Sequence, residues 1–296
     1  MPELPDIAVY LESLDARVLG HELRRIRIQS PFLLRTAVPP IGSAEGKRVV
    51  GLERLGKRVV LALDGDLFLV IHLMIAGRLR WLALDDKAST KAALAVFEFD
   101  NGRVAFTEAG TQRRASLHLV AGRAALEALD PGGVDPLTCD EGTFADRLKS
   151  ENHTVKRSLT NPRLFSGIGN AYSDEILHRA RMSPLLLTRA MTPEAISRLF
   201  AATREVLVEW TERLRAEAEK HGGWPAKVTA FHPKMAVHGR YGQPCPVCGA
   251  PVQRIVHADN ETNYCARCQT GGKLLADRAL SRLLKASWPR HIDDLD

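Results

Sequence analysis

The chain has 296 residues, of which 45% are hydrophobic and 26% are charged, and its formal net charge is +6. This length and apolar content predict two domains with ordinary cores and exclude a wholly disordered chain. No apolar run reaches the roughly 18 residues that a membrane-spanning helix needs, and residues 1–6 lack the pattern of a secretory signal. We therefore expect a cytoplasmic protein that does not enter a membrane. Its modest basic excess permits nucleic-acid binding without establishing it.

The first predicted element is a helix over residues 6–19. Apolar residues recur at helical spacing from Ile7 to Val18, Asp6 can cap the start, and Gly20 can end the helix. The pattern then changes to short β-type segments, separated at two places by the hairpin signals Asp-Gly and Asn-Gly. Eight such segments are found, at residues 23–28, 49–55, 58–63, 67–73, 79–84, 93–99, 103–107 and 116–120. They predict an antiparallel β-sandwich or a partly open barrel.

A cluster of Pro and Gly at residues 130–133 marks the predicted boundary of this first region. Helical patterns follow. One short helix is predicted over residues 143–150, and a long amphipathic one opens at Thr192-Pro193 and stops at Gly222-Gly223. Leucines at residues 273–286 predict a final helix.

Two cysteine pairs, Cys245-x2-Cys248 and Cys265-x2-Cys268, have the spacing of a zinc ribbon, in which each pair supplies two thiolates. Four thiolates leave no open coordination position, so the predicted Zn2+ ion is structural. Disulfides are the alternative, but no secretory signal supports an oxidising compartment. Cys139 stands alone, and we interpret it as a structural cysteine rather than a nucleophile.

The amino terminus, Met1-Pro2-Glu3, is the second candidate site. If Met1 is removed, Pro2 becomes a secondary amine with a pKa of about 8, which is partly neutral near pH 7. Such an amine can attack an aldehydic carbon and form an iminium ion that promotes elimination, with Glu3 placed for proton transfer. A retained Met1 would make the Pro2 nitrogen an unreactive amide. The alternative is a rigid, solvated terminus without chemistry.

Three features together resemble one family. They are the Met-Pro-Glu-Leu-Pro start, the Ser-Gly-Ile-Gly-Asn-Ala-Tyr stretch at residues 166–172 and the zinc ribbon. In this order they closely resemble the formamidopyrimidine-DNA glycosylase / endonuclease VIII family, over residues 2 to about 270. The resemblance implies an α+β multi-domain fold: an N-terminal antiparallel β-sandwich with a leading helix, a helix–two-turn–helix domain and a zinc hairpin. The implied domains span residues 1–132, 133–225 and 226–272, followed by a helical extension at 273–296.

The resemblance also implies roles for individual residues. Pro2 corresponds to the nucleophile that attacks C1′ of a flipped nucleotide, and Glu3 to its acid/base partner. Lys57 matches a lysine that contacts phosphate near the reacting sugar, while Asn170 and Lys156 match DNA-backbone contacts. For the two lysines, an ordinary solvated side chain is the alternative.

The chain departs from the family pattern where damage is sensed. Ile75 stands where the family has a methionine that fills the gap left by the flipped base, and either Ile75 or the shifted Met74 has bulk enough to do so. Arg114 lies in a segment that keeps the family arginines approximately but lacks the phenylalanine wedge. Asn260 replaces a phosphate-gripping arginine of the zinc hairpin, and it can hydrogen-bond a phosphate without supplying charge.

The resemblance therefore implies a monomeric, bacterial DNA glycosylase and AP lyase of base excision repair. Its expected substrate is double-stranded DNA with an oxidised or ring-opened base or an abasic site. A non-catalytic or lyase-only DNA-damage-binding protein of the same fold is the first alternative. A zinc-ribbon module joined to an unrelated enzyme is the second.

Overall fold

A computed structural model describes residues 1–109, 113–225, 228, 231–257, 260–276 and 289–295; the side chains of His257 and Asn260 are outside this description. The chain forms two compact units. One consists of Met1–Pro131 and Trp210–Val228, and the other of Gly132–Glu209 and Thr229–Asp296. The division into four domains that the sequence suggested remains a prediction.

Helix α1, Leu4–Val18, begins two residues earlier than the sequence pattern predicted. The N-cap is Glu3, whereas Asp6 occupies the third helical position, so the prediction of Asp6 as the cap was wrong. Asp6 instead reaches back, and its Oδ2 accepts a hydrogen bond from the Glu3 backbone N–H at 2.8 Å. This is the reciprocal arm of a capping box, which satisfies a backbone donor that the helix leaves free.

Eight antiparallel strands follow, in the hydrogen-bonded order β5-β7-β6-β1-β2-β3-β4-β8. They are β1 Glu22–Ile28, β2 Lys47–Leu55, β3 Arg58–Leu63, β4 Leu67–His72, β5 Gly77–Ala83, β6 Ala93–Phe99, β7 Gly102–Glu108 and β8 Ser116–Ala121. Strands β1 and β2 are joined by two residue pairs, Glu22↔Arg48 and Leu23↔Lys47. The strands therefore form two four-stranded halves, as expected for a sandwich.

The core of this unit lies between the inner faces of the two halves. Leu61 and Leu69 from one half and Phe97 and Phe106 from the other belong to a single buried cluster, which also includes Tyr10 of α1. Burying each such side chain contributes about 1.5–3 kcal/mol. This packing fixes α1 to the sandwich and so fixes the position of the residues at its start.

The remaining elements are mostly helical. They are α2 Arg123–Glu127, α3 Glu141–Lys149, α4 Val155–Thr160, α5 Asn170–Arg179, α6 Pro193–Glu219, the hairpin β9 Gln253–His257 and β10 Asn260–Tyr264, and α7 Ala266–Thr270. Short 3-10 helices cover Ile41–Ala44, Thr188–Ala190 and Ile292–Asp294. Helices α3 and α6 and the hairpin follow the predicted pattern, whereas α2, α4 and α7 were too short to be recognised.

The final predicted helix is not present where it was expected to begin. Residues 273–276 are not helical, and Lys273 instead forms a β-bridge with His291. The backbone N–H of Leu274 donates to the Arg290 carbonyl at 2.9 Å, so this part of the chain pairs with a later segment. The rest of the predicted helix, residues 277–286, lies outside the described residues.

Candidate active site and zinc centre

The amino terminus lies among charged groups on the first unit. Pro2 is buried, and Glu3 is only 3% exposed. Burial lowers the pKa of the Met1 amino group; nearby positive charges on Arg78 and Lys57 lower it further, and the carboxylates of Glu3 and Asp6 oppose the shift. The structure thus brings the predicted Pro2, Glu3 and Lys57 together, as the sequence could not by itself establish.

Asp6 is an ionisable member of this cluster, although the sequence pattern predicted only a helix-capping role for it. Burial raises the pKa of its carboxyl group to about 7, with a further rise from the Glu3 charge, while the hydrogen bond from the Glu3 N–H lowers it. Asp6 therefore changes protonation near neutral pH, one helical turn from the candidate nucleophile. The sequence did not reveal this property, because aspartate is common at the start of helices without having a shifted pKa.

Lys57 occupies the turn between β2 and β3, directly after Gly56, whose φ of +63° suits a glycine. Burial lowers the pKa of the Lys57 ammonium, and the negative charge of Glu3 partly offsets that shift. A desolvated ammonium group beside the amino terminus can bind a phosphate oxygen strongly, because little water competes for it.

His72 is a second group that the sequence did not single out. It lies opposite Arg58 in the register of β3 and β4. Burial lowers the pKa of its imidazole to about 4, and the positive charges of Arg58, Lys57 and His118 add to the shift. The basic groups here create a local positive potential that favours an anion such as phosphate.

The predicted wedge residue Ile75 projects from the tight turn between β4 and β5 and is 62% exposed. The turn is closed by a 2.9 Å hydrogen bond from the Gly77 N–H to the Leu73 carbonyl. A Cβ atom at Gly77 would overlap that carbonyl, so only glycine fits there. Met74 has a φ of +52°, which shows how sharply the chain bends. The turn holds a large apolar side chain in solvent, where it can insert between bases.

Arg114 is exposed and lies just after residues 110–112, which are outside the described part of the chain. Its backbone N–H donates to Glu108 Oε1 at 3.1 Å, and the Ala115 N–H donates to the same oxygen at 3.2 Å. The Glu108 carboxylate therefore fixes the point at which this segment re-enters the sheet and leaves the Arg114 side chain outside.

The four predicted cysteine ligands converge. Their Sγ atoms all lie within 4.8 Å of one another, with 3.9 Å between Cys245 and Cys268 and 3.4 Å between Cys248 and Cys265. A tetrahedral site with Zn–S bonds of about 2.3 Å has edges of about 3.8 Å, so the donor set fits Zn2+. The separations are far longer than the disulfide bond of about 2.05 Å. Four such thiolates hold zinc as a structural ion. Cys139 lies elsewhere, and burial raises the pKa of its thiol, in keeping with a structural role.

Asn170, the first residue of α5, is bound to the zinc hairpin. Its Nδ2 donates to the Glu261 carbonyl at 2.9 Å. Lys156 approaches the same helix end: its Nζ lies 3.1 Å from the Asn170 carbonyl, 2.9 Å from Ser173 Oγ and 2.5 Å from Asp174 Oδ1. An ammonium group has three hydrogens, and each has an acceptor within the chain. The Lys156 side chain is 12% exposed. It is therefore arranged to hold the start of α5, rather than projecting freely toward a phosphate as the predicted contact would.

Two buried carboxylates of α5 organise the segments around it. The second oxygen of Asp174 accepts from His238 Nδ1 at 2.8 Å and from the Asn263 N–H at 3.1 Å. Glu175 accepts from the backbone N–H groups of residues 236–238 at 2.7–3.0 Å. Burial raises the pKa of Glu175 despite these bonds. The sequence analysis missed both residues, although an Asp-Glu pair in the middle of a buried helix was a visible signal.

Asn260 pairs with His257 at the turn of the β9–β10 hairpin; its predicted phosphate contact concerns a side chain outside the described set. Nearby, the Arg254 guanidinium lies 3.6 Å from the Glu261 carboxylate and 4.3 Å from the centre of the Tyr241 ring. This stacking and ion pair hold Arg254 on the hairpin surface.

Three family models match successive parts of the chain. The formamidopyrimidine-DNA glycosylase N-terminal domain matches residues 1–115, and the H2TH domain of the same glycosylase matches residues 132–218. A zinc finger described as found in FPG and IleRS matches residues 242–271. The order of the matches is the order of the sandwich, the helical region and the zinc ribbon.

Curated relatives are similar over nearly the whole chain. The formamidopyrimidine-DNA glycosylase of Thermus thermophilus is 35% identical over 285 residues, covering 92% of this chain and all of the relative. That of Symbiobacterium thermophilum is 30% identical over 277 residues, covering 91% of this chain and 89% of the relative. Both relatives are bacterial.

Solved structures have the same fold. The Lactococcus lactis FPG (MutM) in complex with Fapy-dG-containing DNA has a TM-score of 0.79 at 25% identity, covering 90% of this chain and all of that one. MutM (FPG) from Thermus thermophilus has a TM-score of 0.73 at 32% identity, covering 90% of this chain and 98% of that one.

Among the described residues, no helix combines the length and apolar character that crossing a membrane requires.

Proposed function

Because the chain belongs to the formamidopyrimidine-DNA glycosylase family, we propose that Pro2, Glu3 and Lys57 carry out its reaction on damaged DNA. The protein is a DNA N-glycosylase of base excision repair with AP-lyase activity, and its partner is DNA that contains a damaged base or an abasic site. The observation that supports these residue roles is the gathering of the amino terminus, Glu3 and Lys57 in one buried cluster.

Pro2 acts as the nucleophile once Met1 has been removed. Its nitrogen attacks C1′ as the bond from C1′ to the base breaks, and the base leaves with a proton. Opening of the sugar at the C1′–O4′ bond, with a proton delivered to O4′, gives an iminium ion. That cation withdraws electrons, so a C2′ proton can be removed and the C3′–O bond to the phosphate breaks. This sequence is covalent Schiff-base catalysis.

Glu3 transfers the proton to O4′. It is adjacent to Pro2 in the chain and almost fully buried, so its carboxyl group acts in a low-dielectric environment. Burial, together with Arg78 and Lys57, lowers the pKa of the Met1 amine. An amine on Pro2 would lie one residue further along the chain in the same surroundings, where burial favours the neutral, nucleophilic form over the charged one.

DNA contacts come from separate parts of the two units. Lys57 binds the phosphate beside the reacting sugar, while Ile75 fills the space left by the extruded base. Asn170 at the start of α5 and Arg114 contact further phosphates, and the phosphate contact of Asn260 rests on the sequence alone. Lys156 positions Asn170 instead of contacting DNA, which changes the role expected from the sequence. The double substitution of Lys156→Gln with Asp174→Asn tests this role. The slope of the logarithm of the DNA-binding constant against the logarithm of the salt concentration should stay unchanged. Loss of a phosphate contact would instead reduce the magnitude of that slope by about 0.9.

We further propose that the protein works as a monomer in the cytoplasm of a bacterium, associated with chromosomal DNA. The bacterial relatives support the bacterial origin in this proposal.

The decisive experiment is borohydride trapping on a duplex with an abasic site. Protein with a free Pro2 amine, verified by mass spectrometry, should form a covalent adduct. A matched protein with one extra, retained residue before Pro2 should form none, because its nitrogen is an amide. Equal trapping by both proteins, or trapping by neither, would contradict the role of Pro2. Adduct formation without release of any base from a panel of oxidised and ring-opened lesions would favour the lyase-only alternative.

A further inference from the structure

Helix α5 carries a stripe of polar residues where a buried helix face is usually apolar. Asn170, Asp174 and His178 are spaced four residues apart and therefore lie on one face of the helix. Asn170 and Asp174 bind the β10 backbone at Glu261 and Asn263. The third member of the stripe, His178, contacts one of the four cysteine ligands.

His178 is 7% exposed, and its Nε2 lies 3.3 Å from Sγ of Cys245, which is 3% exposed. A zinc-bound cysteine is a thiolate, which carries no hydrogen and can only accept. The ring nitrogen must then be the donor. We propose that His178 is an outer-sphere partner of the zinc ion: its Nε2–H donates to the Cys245 thiolate and slows loss of the metal.

The charge at the site explains why such a donor matters. Four thiolates around one Zn2+ carry a net charge of −2, and a buried charge is costly unless hydrogen bonds compensate it. Donors near the sulfur atoms include the Cys268 backbone N–H, 3.5 Å from Cys265 Sγ. His178 adds a side-chain donor from a different element, so it also fixes the distance between α5 and the first cysteine pair.

The second cysteine pair is connected to the same part of the chain. Gln269 accepts from the Cys265 N–H at 2.8 Å, and its Nε2 donates to the Met182 carbonyl at 2.8 Å. Met182 lies four residues after His178. Both cysteine pairs are therefore attached to α5 or the turn that follows it, and a held zinc ion keeps the helix that begins with Asn170 in place.

Zinc transfer from the full-length, zinc-loaded protein to a chromogenic chelator tests the proposal. His178→Phe keeps a ring of similar size without a donor, and we expect zinc to be held about 10–100-fold less tightly, the usual effect of losing an outer-sphere partner. His178→Gln keeps an N–H and should stay within a few-fold of the unchanged protein. His153→Phe, which removes a histidine paired with Glu151, is the matched control and should change nothing. Unchanged zinc retention in His178→Phe would overturn the proposal.

A measurement on the unsubstituted protein covers the case in which His178→Phe does not fold. With 113Cd in place of zinc and 15N-labelled histidine, the His178 proton should reside on Nε2 and show scalar coupling to the metal through the sulfur. A bare Nε2, or a protonated one without coupling, would refute the hydrogen bond. Neither result bears on Pro2, so the proposed reaction would stand or fall separately.

Discussion

Two clusters of buried charged groups in the described structure differ in how their charges are compensated. At the amino terminus, burial raises the pKa of Asp6 to about 7 and lowers that of the terminal amine. Around α5, the buried carboxylate of Asp174 is instead surrounded by partners, including Lys156 at 2.5 Å and His238 at 2.8 Å. The first arrangement leaves groups ready to exchange protons, whereas the second fixes positions.

Substitutions in the two clusters should therefore have different effects. A group that titrates near neutral pH can take part in proton transfer, so changes at the amino terminus should alter reaction rates or the pH dependence of stability. A saturated network of charges loses stability when one partner is removed, so changes around α5 should alter folding first.

The largest expected effect is that of Glu3→Gln. Because the amide cannot deliver a proton to O4′, formation of the iminium ion and the strand cleavage that follows should slow by about 10²–10⁴-fold. The near-identical shape should leave thermal stability almost unchanged. Single-turnover cleavage of a duplex that contains an abasic site, together with borohydride trapping of the iminium ion, measures the rate. Glu12→Gln on the exposed side of the same helix is the control. A comparable loss of rate in both variants would contradict the role of Glu3 in proton transfer.

Asp174→Asn should have the largest effect on stability. The variant leaves the mostly buried Lys156 ammonium without its counter-charge, which should lower the free energy of unfolding by about 3–5 kcal/mol. Denaturant unfolding of the zinc-loaded protein measures it. Glu209→Gln removes an exposed partner of Arg179, at 2.6 Å, and should cost about 1 kcal/mol or less. Similar losses in the two variants would mean that burial of the network contributes little.

Asp6→Asn should change how stability depends on pH. In the folded protein the Asp6 pKa is raised from 3.8 to about 7, so between these values the unfolded chain has released a proton that the folded one keeps. Stability relative to Asp6→Asn is therefore highest below pH 4 and falls as the pH rises, with the loss complete above about pH 8. At about 1.4 kcal/mol per pKa unit, the total difference is about 4 kcal/mol. Parallel curves for the two proteins would contradict the shift.

The smallest effect concerns the wedge. Ile75→Ala should slow base release by about 10-fold, because less bulk fills the space left by the extruded base. Ile75→Met should stay close to the unchanged rate. Both variants should unfold at the same denaturant concentration, since the side chain is 62% exposed. Equal rates for Ala and Met would remove Ile75 from the DNA contacts.

Much of the fold and the metal centre was predictable from local patterns. The eight strands, the long helix α6 and the hairpin each have a short-range signature, and the zinc ligands follow from two Cys-x2-Cys pairs. The family comparisons confirm the predicted fold class and the resemblance. The short helices α2, α4 and α7 escaped because five or six residues hold too little periodicity.

The side-chain environments were less predictable, because they depend on residues far apart in the chain. The spacing of Lys156 to Asn170 predicts a DNA contact that remains untested, and only the packing of α4 on α5 reveals that the Lys156 ammonium group donates to Asp174. Asp6 was assigned to a helix cap from its residue type, although its burial beside Glu3 gives it the properties of a titrating group. The roles of Pro2, Glu3 and Lys57 remain predictions that the borohydride experiment tests.

The turn that carries Ile75 divides tolerance to mutation between neighbouring positions. Gly77 has no freedom, because any Cβ would overlap the Leu73 carbonyl, whereas the side chain of Ile75 touches mostly solvent. In a deep mutational scan for survival under oxidative stress, position 77 should accept glycine alone, while position 75 should accept a graded series of apolar residues. Substitutions at position 75 could thus accumulate during evolution on an unchanged turn, and they would alter the preference for particular lesions without changing the sheet.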